Sequence, residues 1–232
     1  MPKKQSQSTH YLLYFVAAFI TLYLTQVVLL NRLIEVGPYF ITGGCALYFL
    51  SPMVIDVVAE VYGYKIAKKL LWCGLFSLIF IAVTVYVCLR MPTVPFWGHV
   101  TQAYDVALGS LPRTAILGSI AIFVGQLINA FLISKWRVLT RGKYFWIRSV
   151  GSSIIGDITT LVLANIGIFL GRMPVHDVPE IILPQVVVLL ICSSLGAIPA
   201  SFLAKLIARA EGLNHFDTGI SFNPFKNRNL NV

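Results

Sequence analysis

Six windows of the chain combine the length of a transmembrane helix with an almost complete lack of charge. A hydrocarbon core of about 30 Å needs about 20 apolar residues in a helix. Windows of that size recur along the sequence, and only the fifth contains a charged residue, Asp157: Tyr11–Leu30, Val36–Ile55, Leu70–Leu89, Thr114–Ser134, Ser149–Leu170 and Ile181–Ala204. They predict an all-α polytopic membrane protein with six transmembrane helices, with spans at about 11–31, 38–62, 66–89, 113–134, 148–170 and 181–208.

These spans take up most of the chain and leave no room for a soluble domain. Residues 1–232 are therefore expected to form a single integral membrane domain, with a cytoplasmic tail at 210–232. With three spans in each half, Asp56 and Asp157 fall in the middle helix of their halves. An odd number of spans gives the halves opposite orientations, which favours two inverted three-helix halves.

The basic residues indicate the orientation. Fourteen of the 18 lysines and arginines lie before the first span, between the second and third, between the fourth and fifth, or after the sixth. With six spans, all these segments fall on one side of the membrane. The other side of the membrane holds Arg32, Arg90, Arg113 and Arg172. By the positive-inside rule the larger group is cytoplasmic, so both termini are expected in the cytoplasm. The first apolar run is too long for a signal peptide and no A-x-A site follows it, so we expect it to be retained as a span.

Composition excludes a soluble globule. Of the 232 residues, 57% are hydrophobic and 12% are charged, and the mean hydropathy is +0.81. The net charge of +9 does not indicate nucleic-acid binding, because the basic residues form short clusters between apolar runs. The four cysteines lack C-x-x-C spacing, so neither a metal nor another cofactor is predicted. The expected partner is the lipid bilayer.

Three acidic residues lie inside the predicted spans: Asp56, Glu60 and Asp157. An ionisable side chain is costly in lipid, so each is a candidate functional residue. Asp56 and Glu60 share a helical face with Tyr48 and Pro52. Pro52 is expected to break or kink this helix, after Gly43 and Gly44 have loosened it. Transporters often place substrate sites at such discontinuous helices.

Other interpretations of the polar residues stay open at this point. Glu60 lies near the cytoplasmic end of its span, where it could pair with Lys65, Lys68 or Lys69. Neutral polar residues inside the spans can either bind a ligand or hold helices together by hydrogen bonds. These residues are Gln26, Gln126, Asn129 and Asn165. Gln126 and Asn129 are three residues apart and therefore share a face.

Carboxylates and amides around a small cavity suit a planar polar ligand. A carboxylate accepts two parallel hydrogen bonds from the N1–H and exocyclic amine of a guanine-like edge. An intramembrane aspartyl protease is the enzymatic alternative, but Ile154-Ile155-Gly156-Asp157 lacks the first glycine of the G-x-G-D pattern and Ile55 replaces the usual tyrosine before Asp56. A P-loop is also absent from the sequence. The sequence therefore favours a transporter over an enzyme.

The second predicted span carries a family resemblance. The run from Phe49 to Lys69, with its D-x-x-x-E-x-Y-G segment, resembles the bacterial queuosine-precursor transporter family, also called vitamin uptake transporters. Further segments resemble the first, fourth and fifth helices of that family: Tyr23-Leu24-x-Gln26, Gly125-Gln126-x-x-Asn129, and Ser152 through Asp157-x-Thr159. The resemblance covers nearly the whole chain.

This resemblance implies a six-helix carrier in the cell inner membrane that imports the 7-deazaguanine precursors preQ0 or preQ1 for tRNA modification without its own ATPase. The site residues that it carries over are Asp56, Glu60, Gln126, Asn129 and Asp157. Two positions depart from the family pattern. Asn129 stands where members often have Asp, and the segment Val186 to Leu190 is apolar where a Lys is often found.

We therefore predict a substrate-binding set at the centre of the membrane, formed by Asp56, Glu60, Gln126, Asn129, Asp157, Tyr48, Gln26 and Asn165. In this hypothesis Asp56 and Asp157 bind the guanine-like edge, and Gln126 and Asn129 complete the contacts. The alternative is a substrate-binding subunit of an energy-coupling-factor vitamin transporter. A scaffold protein is the third hypothesis. The sequence is compatible with a homodimer and leaves the preferred precursor and any ion coupling open.

Overall fold

The computed structural model describes residues 10–29, 32–37, 39–47, 50–93, 95–169 and 178–212. Within these ranges the chain forms α1 (Leu12–Leu29), β1 (Leu33–Val36), β2 (Tyr39–Thr42), α2 (Leu50–Tyr62), α3 (Tyr64–Cys88), α4 (Gly98–Leu108), α5 (Leu111–Leu139), α6 (Phe145–Phe169) and α7 (Val178–Glu211). Short 3₁₀ helices occupy Gly43–Leu47 and Pro95–Trp97.

Five helical segments of the described chain are long and apolar enough to cross a membrane. They are Leu12–Leu29, Tyr64–Cys88, Gly98–Leu139, Phe145–Gly167 and Ile182–Glu211. Large apolar side chains point outward from these helices; Leu13, Phe80 and Phe202 are each at least 69% exposed. Such surfaces suit lipid as their solvent. The protein is a predominantly α-helical multi-pass membrane protein, as the sequence predicted.

The second predicted span differs from a single helix over 38–62. Residues 39–42 pair with 33–36 as an antiparallel hairpin, from Leu33 opposite Thr42 to Val36 opposite Tyr39. The helix itself begins at Leu50. The thirteen residues of α2 measure about 20 Å at 1.5 Å per residue, which is too short to cross the hydrocarbon core alone. The predicted break is therefore present, but the hairpin before it was not predicted.

Pro52 explains where α2 can begin. It is the third residue of the helix, and a proline in the first turn costs no intrahelical hydrogen bond because the first N–H groups have no partner there. At its other end, α2 is separated from α3 by Gly63, whose φ of 85° is readily adopted by glycine. The result is a half-length helix with fixed ends.

This half-length helix lies in the centre of the fold. It packs against α1, α3, α5 and α7, and ten of its thirteen residues are buried, Asp56 among them. The most extensive helix pair, α5 with α6, crosses where Gly125 meets Gly156. A Cβ atom on Gly156 would lie 2.5 Å from the Gly125 carbonyl oxygen and 2.9 Å from Cβ of Asn129. Small residues let the two backbones approach closely beside the polar side chains.

The number of spans and the inverted halves stay predictions. The second predicted span is not among the five long apolar segments. Residues 213–232, most of the predicted cytoplasmic tail, lie outside the described residues.

Candidate polar site at the centre of the bundle

Asp56 is the centre of a buried hydrogen-bond network. Its side chain is 1% exposed. Nδ2 of Asn129, on α5, donates to Oδ1 at 2.7 Å. Two hydroxyl groups of α6 donate to Oδ2: that of Ser149, by a short hydrogen bond, and that of Ser153, at 3.3 Å. Three donors from two helices therefore replace the water that a carboxylate would otherwise bind.

Asp157 is a second buried carboxylate with fewer donors. It is fully buried. Nε2 of Gln126 donates to its Oδ1 at 3.3 Å, and Oγ of Ser193, on α7, donates to its Oδ2 at 2.9 Å. Among the described residues both partners of this carboxylate are neutral.

One face of α6 joins the two carboxylates. Ser149, Ser153 and Asp157 follow each other at intervals of four residues, so they line one side of the helix at steps of about 6 Å. The two serines donate to Asp56, whereas the third position is itself a carboxylate. The structure thus brings Asp56, Asn129, Gln126 and Asp157 into one region, where the sequence had predicted a shared site.

The amides of α5 leave two acceptor atoms unsatisfied. The side-chain amide nitrogens of Gln126 and Asn129 donate hydrogen bonds to the carboxylates of Asp157 and Asp56, respectively. The carbonyl oxygens of the two amides, Oε1 and Oδ1, are buried and have no hydrogen-bond partner within the described chain. Reversing either amide would turn its oxygen toward a carboxylate, so the orientations follow from the charge. A buried acceptor without a partner costs about 1–3 kcal/mol, which favours a ligand that brings N–H donors.

A small polar cavity reaches Asp56. Its volume is about 10 Å³, which admits little more than one water molecule. Its polar lining is formed by Asp56 of α2, Ser149 and Ser153 of α6, and Ser193 of α7. The small residues Gly196, Ala197 and Ala200 of α7 also line it. Ser193 therefore touches the cavity and also binds Asp157. In this conformation the site is closed.

Glu60 is held by two arginines. Nη1 and Nη2 of Arg148 each donate to its carboxylate at 3.1 Å, and Nε of Arg137 lies 3.4 Å from Oε1. Arg137 also donates to the Glu60 carbonyl oxygen. The lysines proposed as partners, Lys65, Lys68 and Lys69, do not form these ion pairs. Glu60 thus ties α2 to α5 and α6, one helical turn from Asp56.

Three further predicted site residues lie apart from the carboxylates or outside the described chain. Gln26 donates to the Leu47 carbonyl oxygen at 2.7 Å and to Oγ of Ser51 at 2.9 Å. Asn165 donates to the Leu161 carbonyl oxygen at 2.8 Å and to Oε1 of Gln185 at 3.4 Å. These contacts match the alternative in which amides hold helices together. Tyr48 lies outside the described residues.

Sequence reasoning missed several members of the network. Ser149, Ser193 and Arg148 were not candidates. A signal existed for Ser149, because its four-residue spacing to Ser153 and Asp157 places all three on one face. Ser193 had no such signal, since only the packing of α7 against α6 shows which of its faces meets Asp157. Among the described residues, no group of three or more His, Cys, Asp or Glu side chains could hold a metal ion.

Long apolar helices around a buried, closed polar site are typical of membrane transporters. Similarity to known proteins supports the same class. A family model described as "Putative vitamin uptake transporter" matches residues 42–204, so the chain belongs to that family. It is a transporter and not an enzyme.

A curated relative gives a more specific similarity. The "Probable queuosine precursor transporter" of Bacillus subtilis (strain 168) is 25% identical over 166 residues, which covers 71% of each chain. No solved structure shows significant similarity. These similarities do not favour the alternative of an energy-coupling-factor subunit.

Proposed function

We propose that the protein imports a 7-deazaguanine queuosine precursor, preQ0 or preQ1, across the cell inner membrane without its own ATPase. The observation that carries the proposal is the set of acceptors around Asp56. The Asp56 carboxylate lies beside Asn129, whose carbonyl oxygen, like that of Gln126, has no partner in the described chain. A ligand that satisfies this site must present several N–H donors on a planar edge.

A guanine-type edge has the required chemistry. Its N1–H and exocyclic amine are parallel donors at the spacing of the two oxygens of a carboxylate. Asp56 would accept this pair, while the carbonyl oxygens of Gln126 and Asn129 would accept further N–H groups of the ligand. The name of the Bacillus subtilis relative supports the same ligand class.

Substrate entry requires the closed site to open. In the closed form, Ser149 and Ser153 occupy one oxygen of Asp56, and the cavity is too narrow for a nucleobase. Binding would exchange these serine hydrogen bonds for those of the ligand. The small residues Gly196, Ala197 and Ala200 of α7 line the cavity together with Ser149 and Ser153 of α6. A displacement of α7 away from α6 would therefore widen the cavity.

Glu60 is assigned here to closing the cytoplasmic end of the path and not to ligand binding. Its carboxylate is occupied by Arg137 and Arg148. The positive-inside rule places these arginines on the cytoplasmic side, below Asp56 along α2. Release into the cytoplasm then requires the Glu60 ion pairs, which link three helices, to separate.

Uptake of labelled preQ0 and preQ1 into cells that cannot synthesise them tests the proposal. Expression of the wild-type protein should restore uptake, and Asp56→Asn should abolish it at equal protein abundance. Thr159→Val is the matched control, because within the described part of the chain the Thr159 hydroxyl bonds only to the Ile155 carbonyl oxygen of its own helix. Lack of uptake by the wild type would overturn the function, and normal uptake by both Asp56→Asn and Asp157→Asn would overturn the site.

A further inference from the structure

The charges around the central site do not balance. Asp56, Glu60 and Asp157 bring three formal negative charges into the bundle. Arg137 and Arg148 supply two positive charges, and both pair with Glu60. Both arginines are thus held at Glu60, one turn from Asp56. Asp157 has no such compensation, because its described partners are the neutral Gln126 and Ser193.

Other charged groups lie too far along the helices to compensate Asp157. The charged residues of α5, α6 and α7 are Arg113, Lys135, Arg137, Arg148, Glu180, Lys205, Arg209 and Glu211. On each helix these residues lie at least nine positions from the member of the Asp157 contact: Gln126 on α5, Asp157 itself on α6, or Ser193 on α7. Nine positions correspond to about 13 Å along the helix axis. On α2 the titratable groups are Asp56 and Glu60. A carboxylate buried without a cation is costly unless it binds one or takes up a proton.

The two aspartates also differ in their hydrogen bonds. Asp56 receives three donors, Asn129, Ser149 and Ser153, and these stabilise the carboxylate form. Asp157 receives two, from Gln126 and Ser193, so its carboxylate form is the less stabilised of the two. A serine hydroxyl can rotate to donate to a carboxylate or to accept from a carboxylic acid. Ser193 can therefore satisfy Asp157 in both protonation states.

We propose that Asp157 is the proton-coupling site of the transporter, which takes up one proton from outside with each substrate and releases it to the cytoplasm. The inference rests on the proposed function, and it separates the roles of the two aspartates. Asp56 lines the cavity and meets the ligand. Asp157 reaches the cavity through Ser193, which contacts both.

The neighbours of Asp157 favour a proton over a metal cation. Hard cations require several oxygen ligands aimed at one point. Gln126 directs its amino group at Asp157, so the carbonyl oxygen of the same planar amide points away from the carboxylate. Of the described side chains joined to Asp157 by hydrogen bonds, this leaves one hydroxyl group beside the carboxylate itself, which is a poor coordination set for sodium.

Accumulation of preQ0 in liposomes tests the inference. This precursor carries a nitrile in place of an amine, so it brings no positive charge of its own. At one proton per molecule, a pH difference of one unit, acidic outside, should drive about a tenfold accumulation with the membrane potential held at zero. Asp157→Asn should bring preQ0 only to equal concentrations on both sides, yet still exchange internal for external preQ0. Thr159→Val should accumulate it like the wild type.

Ser193→Ala provides a second variant if Asp157→Asn does not fold. It keeps the carboxyl group but removes one donor to the carboxylate form, so accumulation should persist with its pH profile displaced to higher pH. Wild-type protein that equilibrates preQ0 without accumulating it would overturn the proton site and leave the proposed function standing. Accumulation driven by a sodium gradient at equal pH would also overturn it. Failure to move preQ0 or preQ1 at all would overturn both.

Discussion

The side-chain amide of Asn129 donates to Oδ1 of Asp56 at 2.7 Å, across 73 residues of sequence. This bond joins the centre of the half-length helix α2 to the long helix α5. It fixes one oxygen of a buried carboxylate, and it leaves the Asn129 carbonyl oxygen without a described partner. The pair thereby combines a structural contact with the acceptor that the proposed function assigns to the ligand.

Asn129→Leu should weaken substrate binding strongly. A hydrogen bond to a charged group is worth about 1.5–3 kcal/mol, so the loss of this donor and acceptor should raise the dissociation constant about 10- to 100-fold. Equilibrium binding of labelled preQ1 to the purified variant measures the change. Ser119→Ala is the control on the same helix, since its hydroxyl bonds to the Ile116 carbonyl oxygen and to no other described residue. Equal affinity in wild type and Asn129→Leu would remove Asn129 from the site.

Gly156→Ala should disrupt the α5–α6 crossing. The added methyl group would lie 2.5 Å from the Gly125 carbonyl oxygen and 2.9 Å from Cβ of Asn129, and overpacking of this kind costs about 1–3 kcal/mol. A lower thermal denaturation midpoint in detergent is expected, together with impaired uptake, because Asn129 must move.

Gly167→Ala is the control for that substitution. It adds the same methyl group to the same helix, where the nearest atom would be Cβ of Leu117 at 3.4 Å, an ordinary contact distance. Its denaturation midpoint should stay within about 1 °C of the wild type, given that about 1 kcal/mol shifts the midpoint of a chain this long by about 2–4 °C. A similar fall in the denaturation midpoint of both variants would show that the short distance between Gly156 and Gly125 is not the cause of the destabilisation.

Glu60→Ala should destabilise the folded protein. It removes the Glu60 carboxylate that pairs with the side chains of Arg148 and Arg137, which are 2% and 5% exposed. Breaking a buried pair in this way costs about 3–5 kcal/mol. The midpoint of thermal denaturation should fall clearly below that of Glu35→Ala, which removes an exposed carboxylate from the hairpin. Equal midpoints would show that the arginines find other partners.

The acceptors of the site should select for a donor-rich ligand edge. A deazapurine that lacks the exocyclic amine of guanine leaves one oxygen of Asp56 without its bond. We expect about 10- to 100-fold weaker binding than for preQ1, because an unpaired buried polar group costs about 1–3 kcal/mol. Competition against labelled preQ1 measures this difference. Equal competition by both compounds would show that Asp56 does not read that edge.

The sequence predicted the region of the site because of the cost of charge in lipid. Asp56 and Asp157 stand out in apolar windows, and the three-residue spacing of Gln126 and Asn129 indicates a shared face. The structure places all four close together. Glu60 stood out for the same reason, but its partners could not be predicted. Arg137 and Arg148 were counted among the basic residues between the fourth and fifth spans, and only the tertiary structure shows that they are buried against Glu60.

The hairpin was beyond the reach of the apolar pattern. A short apolar run fits a helix or a strand equally well, and the window from Val36 to Ile55 contains no charge that marks a boundary. Gly37, which has a φ of 61°, and the following Pro38 are turn-forming residues. Both lie inside this uncharged window, which predicted a membrane-spanning helix. Pro52 did indicate a break in the helix, and the structure has α2 begin two residues before it.

Equilibrium binding of labelled preQ1 to the purified protein and to Asp56→Asn tests the central claim most directly. The account predicts saturable binding to the wild type, displaced by unlabelled preQ0, and at least about a tenfold loss in a folded Asp56→Asn variant, because a carboxylate that accepts two donors becomes an amide that accepts through a single oxygen. Wild-type protein that binds neither precursor, or an Asp56→Asn variant with unchanged affinity, would contradict it.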